Sequence, residues 1–256
     1  MDGSGEPSYN TMIEHPVTTI ALANRSASVA SRTSAGVSYA ALVSRFHAPP
    51  HGKLFCLHGD GMVFRVALSA ASQALLRGMT VALVDGANRF DAYFIAEFAR
   101  RIEARGGPPP AQLLDKIHVS RAFTCYQMEA VVTDRLPKFL DRTGSTVAVL
   151  FGPLDTFYDD QAPLFEVKAG VERMIATLRR LREQNIGVLV ASQDVRLASP
   201  ERGGLFPRLA SAMDVVYTVG QNEGALTLSA PSALPPKRLP TKSYGAPHGG
   251  AGRHHT

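Results

Sequence analysis

The sequence predicts an α/β domain: a mostly parallel β-sheet with helices on both faces and a C-terminal β-hairpin. From residue 53 onward, short apolar runs alternate with amphipathic segments of about 14 to 20 residues. Strands joined through helices of that length form βαβ units, in which the strands run parallel and are buried on both faces. The last two apolar runs are joined instead by a short turn, which indicates an antiparallel hairpin.

Each strand is predicted from a short apolar run that turn residues end. The first run is followed by the glycine turn His58-Gly-Asp-Gly61, and the last two flank a turn at residues 221–224. The run at residues 146–151 is the most apolar. The predicted strands cover, in chain order, residues 54–57, 80–84, 117–119, 146–151, 186–191, 215–219 and 225–228.

Each helix is predicted from apolar side chains that recur at helical spacing. Gly78 provides a C′ residue that ends the first helix. The longest helix places Val171, Ile175 and Leu178 on one face. The predicted helices cover residues 62–77, 91–105, 127–140 and 165–184, with a loop at residues 106–110 and a further short helix at residues 37–46.

The composition divides the chain into three parts. Residues 51–230 form the predicted core domain, since 45% of the whole chain is hydrophobic and 19% is charged, as in a globular protein. Residues 1–50 are predicted to be a flexible arm and linker, and residues 231–256 a disordered basic tail. The chain has a formal net charge of +5, and the tail contains four basic residues and no acidic one. The core domain is therefore almost neutral.

The cysteines and histidines do not form an obvious reactive or metal-binding set. Cys56 and Cys125 both lie in apolar stretches, which indicates buried thiols in a reducing compartment. His254 and His255 lack a third ligand, so we expect no metal site. His58 has no evident Cys or Asp partner for nucleophilic catalysis, and we interpret it as structural. No apolar run is long enough to cross a membrane, and the acidic N-terminus is not typical of a signal peptide. We therefore expect a cytoplasmic protein without membrane contact.

Three strings give the core domain a family resemblance. They are Val84-Asp-Gly-Ala-Asn-Arg-Phe90, Ile117-His-Val-Ser-Arg-Ala122 and Val188-Leu-Val-Ala-Ser-Gln193. The first resembles the second-strand motif I-D-T-E-G-T-F of RadA-type recombinases, the second resembles the short strand that follows it, and the third resembles the strand that ends in the sensor pair. With the order of elements from residue 53 to residue 230, they make the chain similar to the ATPase core of the RecA/RadA recombinase family. The resemblance implies a RecA-like fold and a nucleotide site.

The segment at the position of the phosphate loop departs from the family pattern. Such a loop needs the motif G-x-x-x-x-G-K-[ST]. Its backbone N–H groups surround the phosphates, its Lys neutralises their charge, and the hydroxyl of its Ser or Thr binds Mg²⁺. From Gly59 onward, the chain has Phe64 at the second glycine, Arg65 at the lysine and Val66 at the Ser/Thr position. Phe64 would block the approach of the backbone to a phosphate, and Asp60 would repel it.

The acidic residues that the resemblance implies are altered as well. Gly152 replaces the carboxylate that would hold Mg²⁺ and Ala87 replaces the acid that would activate water, while Asp85 is retained. Asp155 could replace the missing acid only through a rearranged turn, and Gln193 is at the sensor position. We therefore predict a degenerate nucleotide site with no bound cofactor; the alternative is an ATPase that binds ATP and Mg²⁺ through an unorthodox loop. The residues of this site would be Gly59, Gly61, Arg65, Asp85, Asp155 and Gln193.

Two basic segments are candidates for binding single-stranded DNA. By the resemblance, residues 194–208 correspond to the second DNA-binding loop, and Gly203 and Gly204 would keep its backbone mobile. Its arginines could equally be solvated charges that Asp194 and Glu201 balance. The tail would hold DNA electrostatically or simply aid solubility. The candidate DNA-binding residues are Arg196, Arg202, Arg208, Lys237, Arg238 and Lys242.

The preferred interpretation is a non-catalytic, recombinase-like accessory protein in DNA recombination or repair. The resemblance implies a recombinase or a RecA-like paralogue as the partner, in a homo- or hetero-oligomer, with single-stranded DNA as a further ligand. The apolar patch at residues 17–22 could add a strand to the sheet edge of a neighbour or pack onto its own domain. A RecA-fold scaffold with no DNA role is the remaining alternative.

Overall fold

The strands that the structure describes form one sheet. The computed structural model describes residues 52–195, 197, 199–222 and 225–229. The strands are β1 (Leu54–Gly59), β2 (Val81–Asp85), β3 (Ile117–Arg121), β4 (Val147–Phe151), β5 (Gly187–Gln193), β6 (Val215–Asn222) and β7 (Ala225–Ser229). Their order across the sheet is β3–β2–β4–β5–β1–β6–β7; β1 to β6 are parallel, and β7 pairs antiparallel with β6. The predicted α/β class, the mostly parallel sheet and the C-terminal hairpin are confirmed.

Helices connect the parallel strands. They are α1 (Met62–Leu76), α2 (Ala92–Glu103), α3 (Pro110–Leu114), α4 (Cys125–Ala130), α5 (Leu136–Thr143), α6 (Leu164–Glu183) and α7 (Leu205–Ala210). A π-helical turn, Val131–Arg135, joins α4 to α5, and 3₁₀ turns occur at Asp155–Phe157 and Pro200–Gly204. Among the described helices, none combines the length and the apolarity that a membrane span needs.

Two apolar clusters cover the two faces of the sheet. Alternate residues of a strand point to opposite faces, so Leu54 and Cys56 of β1 join one cluster while Phe55 and Leu57 join the other. The first cluster includes residues of α4 to α7, and the second includes residues of α1 to α3. Both cysteines are free and buried, as predicted, and burial raises the pKa of Cys56 to about 12. Helices on both faces therefore enclose the sheet.

The loop predicted at residues 106–110 and the helix predicted at residues 127–140 are confirmed with shifted bounds, whereas the loop predicted at residues 194–208 is wrong. Pro110 begins α3 where the sequence predicts a loop, because proline suits the first position of a helix. The helix predicted at residues 127–140 extends from residue 125 to residue 143 and includes the π turn. Residues 194–208, predicted as a loop, contain the turn Pro200–Gly204 and most of α7, so both glycines lie in helical backbone. The arm at residues 1–50, with its predicted helix, and the tail at residues 231–256 lie outside the described residues.

The connections of the chain run toward opposite edges of the sheet on the two sides of β1. It leaves β1 for β2 and β3 at one edge, and it later passes from β5 to β6 on the other side of β1. In open α/β sheets, ligands bind outside the carboxyl ends of the strands at such a switch point. The carboxyl ends of β1 and β5 are therefore the place where a site is expected.

Candidate functional site

The carboxyl edge of the sheet brings the residues of the predicted nucleotide site together. Gly59 at the end of β1 lies opposite Gln193 at the end of β5, and Asp85 ends β2. Gly61 lies against Gln193, because a Cβ on Gly61 would be 3.7 Å from Gln193 Nε2. Asp155 follows β4 in a 3₁₀ turn. The surroundings of each residue then decide what it can do chemically.

Gly59 is required by a close approach between two strands. Its φ is +144°, and a Cβ at this position would lie 1.9 Å from the carbonyl oxygen of Val219 on β6. The carbonyl oxygen of Gly59 accepts the N–H of Asp194 at 2.6 Å. Packing of β1 against β6 is thus sufficient to explain this glycine, independently of any ligand.

Asp60 occupies the anion-binding position at the start of α1. Its Oδ1 accepts the N–H of Met62 at 2.8 Å, and its carbonyl oxygen accepts the N–H of Val63 at 3.2 Å. A phosphate loop offers such helix N-terminal N–H groups to a phosphate. Here a carboxylate of the chain itself takes the first of them and places its negative charge at the positive end of the helix.

The side chains at the second-glycine and Ser/Thr positions belong to the core. Phe64 is buried and packs against Phe151, with the ring centroids 5.3 Å apart. Val66 is buried as well. Arg65 is exposed, and its guanidinium carbon lies 5.8 Å from the ring centroid of Phe94 on α2. A cation–π contact therefore orients the side chain at the lysine position.

Asp85 is a structural carboxylate. It is only 1% exposed, and its two oxygens accept the N–H groups of Arg89 and Phe90 at 3.0 and 2.9 Å. Arg121 at the end of β3 adds an opposite charge, with its Nε 3.8 Å from Asp85 Oδ2. These contacts fix the turn between β2 and α2.

Asp155 reaches the position of the missing acid through its 3₁₀ turn. Gly152 has a φ of +50°, and a Cβ there would lie 2.5 Å from Asp155 Oδ2 and 2.6 Å from the Cβ of Ala87. Among the described residues, Asp155 Oδ1 is buried without a hydrogen-bond partner. Burial raises the pKa of Asp155 above its usual value; Arg89 partly offsets this effect and Asp85 adds to it. A carboxylate is thus present at this position, but few nearby groups stabilise its negative charge.

Mg-ATP held in the manner of the phosphate-loop family does not fit these residues. A phosphate would meet the carboxylate of Asp60, and Val66, whose side chain is buried, has no hydroxyl for the metal ion. The buried carboxylate of Asp85 is already engaged. Within the part of the chain that the structure describes, no group of three or more His, Cys, Asp or Glu side chains could hold a metal ion.

His58 has an acidic partner that the sequence does not reveal. Its Nε2 lies 2.6 Å from Asp194 Oδ1, and its Nδ1 lies 3.2 Å from the carbonyl oxygen of Ser192. The imidazole also stacks on Phe206 of α7, with the ring centroids 3.7 Å apart. The prediction that His58 lacks an Asp partner is wrong, because the pairing of β1 with β5 brings residues 58 and 194 together. Since Ser192 contributes its backbone and not its hydroxyl, this cluster links structural elements and is not a nucleophilic triad.

Arg202 lies inside the protein. Its side chain is 5% exposed, and its Nη1 and Nη2 donate to the carbonyl oxygens of Phe157 and Ala162, each at 2.6 Å. Its Nε lies 3.4 Å from Asp160 Oδ1. The structure therefore corrects the prediction of a DNA contact: Arg202 ties the turn Pro200–Gly204 to the loop after β4.

Arg208 is exposed but paired. Its Nη2 donates to Oε2 of Glu172 on α6 at 2.6 Å, and its Nε contacts Oε1 of the same carboxylate. The hydrogen bond from Arg208 holds the pKa of Glu172 below its usual value. The guanidinium is thus an intramolecular partner of α6. The other predicted DNA-binding residues, Arg196, Lys237, Arg238 and Lys242, lie outside the described residues.

The sheet has an edge at β3 that no other described strand covers. Val119 on this strand is 37% exposed. A groove of about 380 Å³, here called the β3 groove, lies between β3 and the helical segment α4–α5. Its lining combines apolar and basic side chains, among them Val131, Leu136, Phe139, Arg135, Lys138 and Arg142. A free strand edge beside an apolar groove is suited to an extended peptide segment.

Comparisons with known proteins add no family to this description. No family model matches the chain, and no curated protein matches it.

Proposed function

We propose that the chain is a recombinase-like accessory protein of DNA recombination or repair, which assembles with a recombinase or a RecA-like paralogue and does not turn over ATP. The observation that carries this proposal is the hydrogen bond from the N–H of Met62 to Asp60 Oδ1 at 2.8 Å. In a phosphate loop this N–H belongs to the anion site at a helix N-terminus. A carboxylate fixed there opposes a phosphate both sterically and electrostatically.

The altered acids support the same proposal. Asp85 uses both carboxylate oxygens to hold a turn, and Gly152 provides no acid at the end of β4. Asp155 approaches that position, but burial raises its pKa, and a carboxylate that holds its proton more tightly is a poorer ligand for Mg²⁺. The α/β sheet is complete around these changes. A domain with an intact sheet and altered acids could still assemble with other subunits through its surface, although it lacks the groups that ATP hydrolysis needs.

The β3 groove and the free edge of β3 are the partner surface that fits this role. An extended segment can pair with a strand edge and place alternate side chains in the adjacent pocket. The guanidinium groups of Arg135 and Arg142 favour acidic residues beside that segment. We place the assembly in the cytoplasm, since Cys56 and Cys125 are free thiols.

Calorimetric titration of the full chain with Mg-ATP tests the absence of turnover. We expect no heat of binding at micromolar nucleotide, because the first N–H of α1 is already engaged. Micromolar binding accompanied by hydrolysis that Arg65→Gln abolishes would overturn the proposal in favour of an ATPase.

Affinity purification from the native cell tests the assembly. We expect a recombinase or RecA-like paralogue to be retained by the wild-type chain and lost with Val119→Glu, which places a charge on the free edge of β3. Val195→Glu is a matched control, because Val195 is 41% exposed and Val119 is 37% exposed. If the wild-type chain retained only proteins with no DNA role, the scaffold interpretation would replace this one.

A further inference from the structure

A second groove lies at the phosphate-loop position, between the beginnings of α1 and α2, and Gly61, Phe64 and Arg65 form part of its lining. Its volume is about 360 Å³. Two arginines and three aromatic side chains line it: Arg65, Arg89, Phe64, Tyr93 and Phe94. The guanidinium carbon of Arg65 lies 5.8 Å from the ring centroid of Phe94, and that of Arg89 lies 5.8 Å from the ring centroid of Phe64. In this groove, here called the arginine groove, each arginine therefore contacts an aromatic ring.

The arginine groove contains acids as well as arginines: Asp91 and Glu97 also line it, and Arg89 interacts electrostatically with Asp155. Within the described residues, neither Arg65 nor Arg89 forms an ion pair. The two acids of the groove have other partners: Asp91 Oδ1 accepts the N–H groups at the start of α2, and Glu97 pairs with Arg101 at 2.5 Å. Two guanidinium groups, each oriented by an aromatic face, are thus available to an anion.

Tyr93 gives the groove an aromatic surface that faces solvent. It is 84% exposed, the largest value among the exposed large hydrophobic side chains of the described residues. The backbone under it is fixed, because its N–H donates to Asp91 Oδ1 at 2.9 Å. An exposed ring on a fixed helical turn beside two arginines combines stacking with phosphate contacts, which is how proteins bind single strands without sequence preference.

We propose that the arginine groove binds single-stranded nucleic acid, with Arg65 and Arg89 on backbone phosphates and Tyr93 stacked on a base. A planar guanidinium donates two parallel hydrogen bonds to a phosphate, and a stacked base needs only an exposed ring. The assignment rests on the proposed DNA-related function. It moves the DNA contact of the folded domain from Arg202 and Arg208, which have intramolecular partners, to the groove between α1 and α2.

A single strand of nucleic acid fits the arginine groove better than a free nucleotide does. The backbone N–H of Met62, which would hold a small phosphate ligand most firmly, is bonded to Asp60. The remaining contacts are made by exposed side chains, each of which contributes a weak and salt-dependent term. A polymer adds several such terms, and the basic tail of the same chain supplies four further positive charges.

Fluorescence anisotropy of a labelled oligothymidylate of about 15 nucleotides, titrated with the full chain over a salt series, tests the proposal. We expect Arg65→Gln/Arg89→Gln to weaken binding about tenfold and to reduce the slope of log K against log salt by about 1.4, since each phosphate contact to a single strand contributes about 0.7. Tyr93→Ala should weaken binding at least about fivefold, while Tyr93→Phe should retain it, because stacking needs only the ring.

The matched control is Arg77→Gln/Arg105→Gln, which removes the same charge from two exposed arginines at the far ends of α1 and α2. This control should bind within about twofold of the wild-type chain, and all variants should keep the thermal midpoint of the wild type, since none of these side chains is buried. Equal losses in the two double variants would show that only net charge matters and would overturn the assignment.

Two other outcomes also contradict the proposal. Thymidine monophosphate or ATP that displaces the oligonucleotide at micromolar concentration would make the ligand a free nucleotide. A glutamate-rich peptide that binds through Arg65 and Arg89, while the oligonucleotide does not bind, would make the groove a protein-docking surface. Retention of the recombinase is measured separately through Val119→Glu, so failure of the groove assignment can be distinguished from failure of the proposed function.

Discussion

The carboxylate of Asp155 folds back over Gly152, so that its Oδ2 lies 2.5 Å from the point where a Cβ on Gly152 would be. Gly152 follows β4 directly and has a left-handed φ of +50°. The glycine thus leaves space at the end of the strand, and an acid from the next turn fills it. That acid is half-buried, and among the described residues its buried Oδ1 has no hydrogen-bond partner.

Asp155→Asn should stabilise the protein at neutral pH. Burial raises the pKa of Asp155 above its ordinary value of 3.8, so the ionised form is disfavoured in the folded state and lowers the free energy of unfolding at pH 7. Asparagine has the same shape without the charge, and we expect the thermal midpoint to rise by a few degrees, since about 1 kcal/mol corresponds to roughly 2–4 °C at this chain length.

This gain should disappear in acid. As the pH falls through the raised folded pKa toward 3.8, the wild-type carboxyl is protonated in the folded state and the penalty is removed. Thermal unfolding of both proteins between pH 7 and pH 3.5 measures the convergence. Asp159→Asn, an exposed neighbour on the same loop, should show no such gain at pH 7. A gain for Asp155→Asn that stayed constant with pH would mean that its charge is not the cause.

Gly152→Asp, which restores an acid at the end of β4, should destabilise the protein by at least about 2 kcal/mol. A Cβ there would meet Asp155 Oδ2 at 2.5 Å and the Cβ of Ala87 at 2.6 Å. The double variant Gly152→Asp/Asp155→Gly removes the first of these clashes and should recover part of the loss in urea unfolding. Gly144→Asp is the control, because Gly144 has a φ of +63° but no heavy atom within 4 Å of the added Cβ. If Gly144→Asp were equally damaging, backbone strain alone would explain both variants.

The sequence predicts the strands well because their signal is local. Val81–Asp85 and Val147–Phe151 are fully buried. Apart from the terminal Asp85, each is a continuous apolar run, because the strands of a parallel sheet are buried on both faces. The register of these strands is not a local property. Asp194 becomes the partner of His58 only through the pairing of β1 with β5, and neither residue carries a mark of that contact in the sequence.

The chemistry of the candidate site is less predictable than its location. An acid at the end of β2 is visible in the sequence, but its engagement by Arg89 N–H and Phe90 N–H depends on the conformation of the following turn. Arginines near glycines suggest a solvated loop, but Arg202 is buried. The carbonyl oxygens that accept its hydrogen bonds belong to a different loop, which the local sequence does not reveal. The role of Asp91 is easier to predict, because an Asp directly before an amphipathic segment usually caps the N-terminus of a helix.

Asp60→Ala should lower the free energy of unfolding by less than about 1 kcal/mol, because the N–H of Met62 loses an exposed acceptor while Gly61 remains the N-cap residue of α1. Asp91→Ala, which removes the N-cap side chain that accepts two N–H groups of α2, is the comparison and should lower it by about 1 kcal/mol. The Asp60 variant should still not bind Mg-ATP in a calorimetric titration, because Val66 provides no hydroxyl for the metal ion and Asp85 remains engaged by the turn after β2. Micromolar ATP binding by Asp60→Ala would show that Asp60 alone had excluded the nucleotide.

Arg202→Met should destabilise the protein by about 3 kcal/mol without a specific effect on DNA binding. The substitution keeps an apolar side chain of similar length, but it leaves the carbonyl oxygens of Phe157 and Ala162 without their donors at 2.6 Å, and each buried group left unpaired costs about 1–3 kcal/mol. Urea unfolding measures the change, with Arg208→Met as a control that should have a much smaller effect, since Arg208 is exposed. Arg202→Lys should also be unstable, because one ammonium does not reproduce the two divergent donors of the guanidinium. The oligonucleotide affinity of the folded fraction should equal that of the wild type; a loss of affinity larger than the loss of folded protein would return Arg202 to the DNA-binding surface.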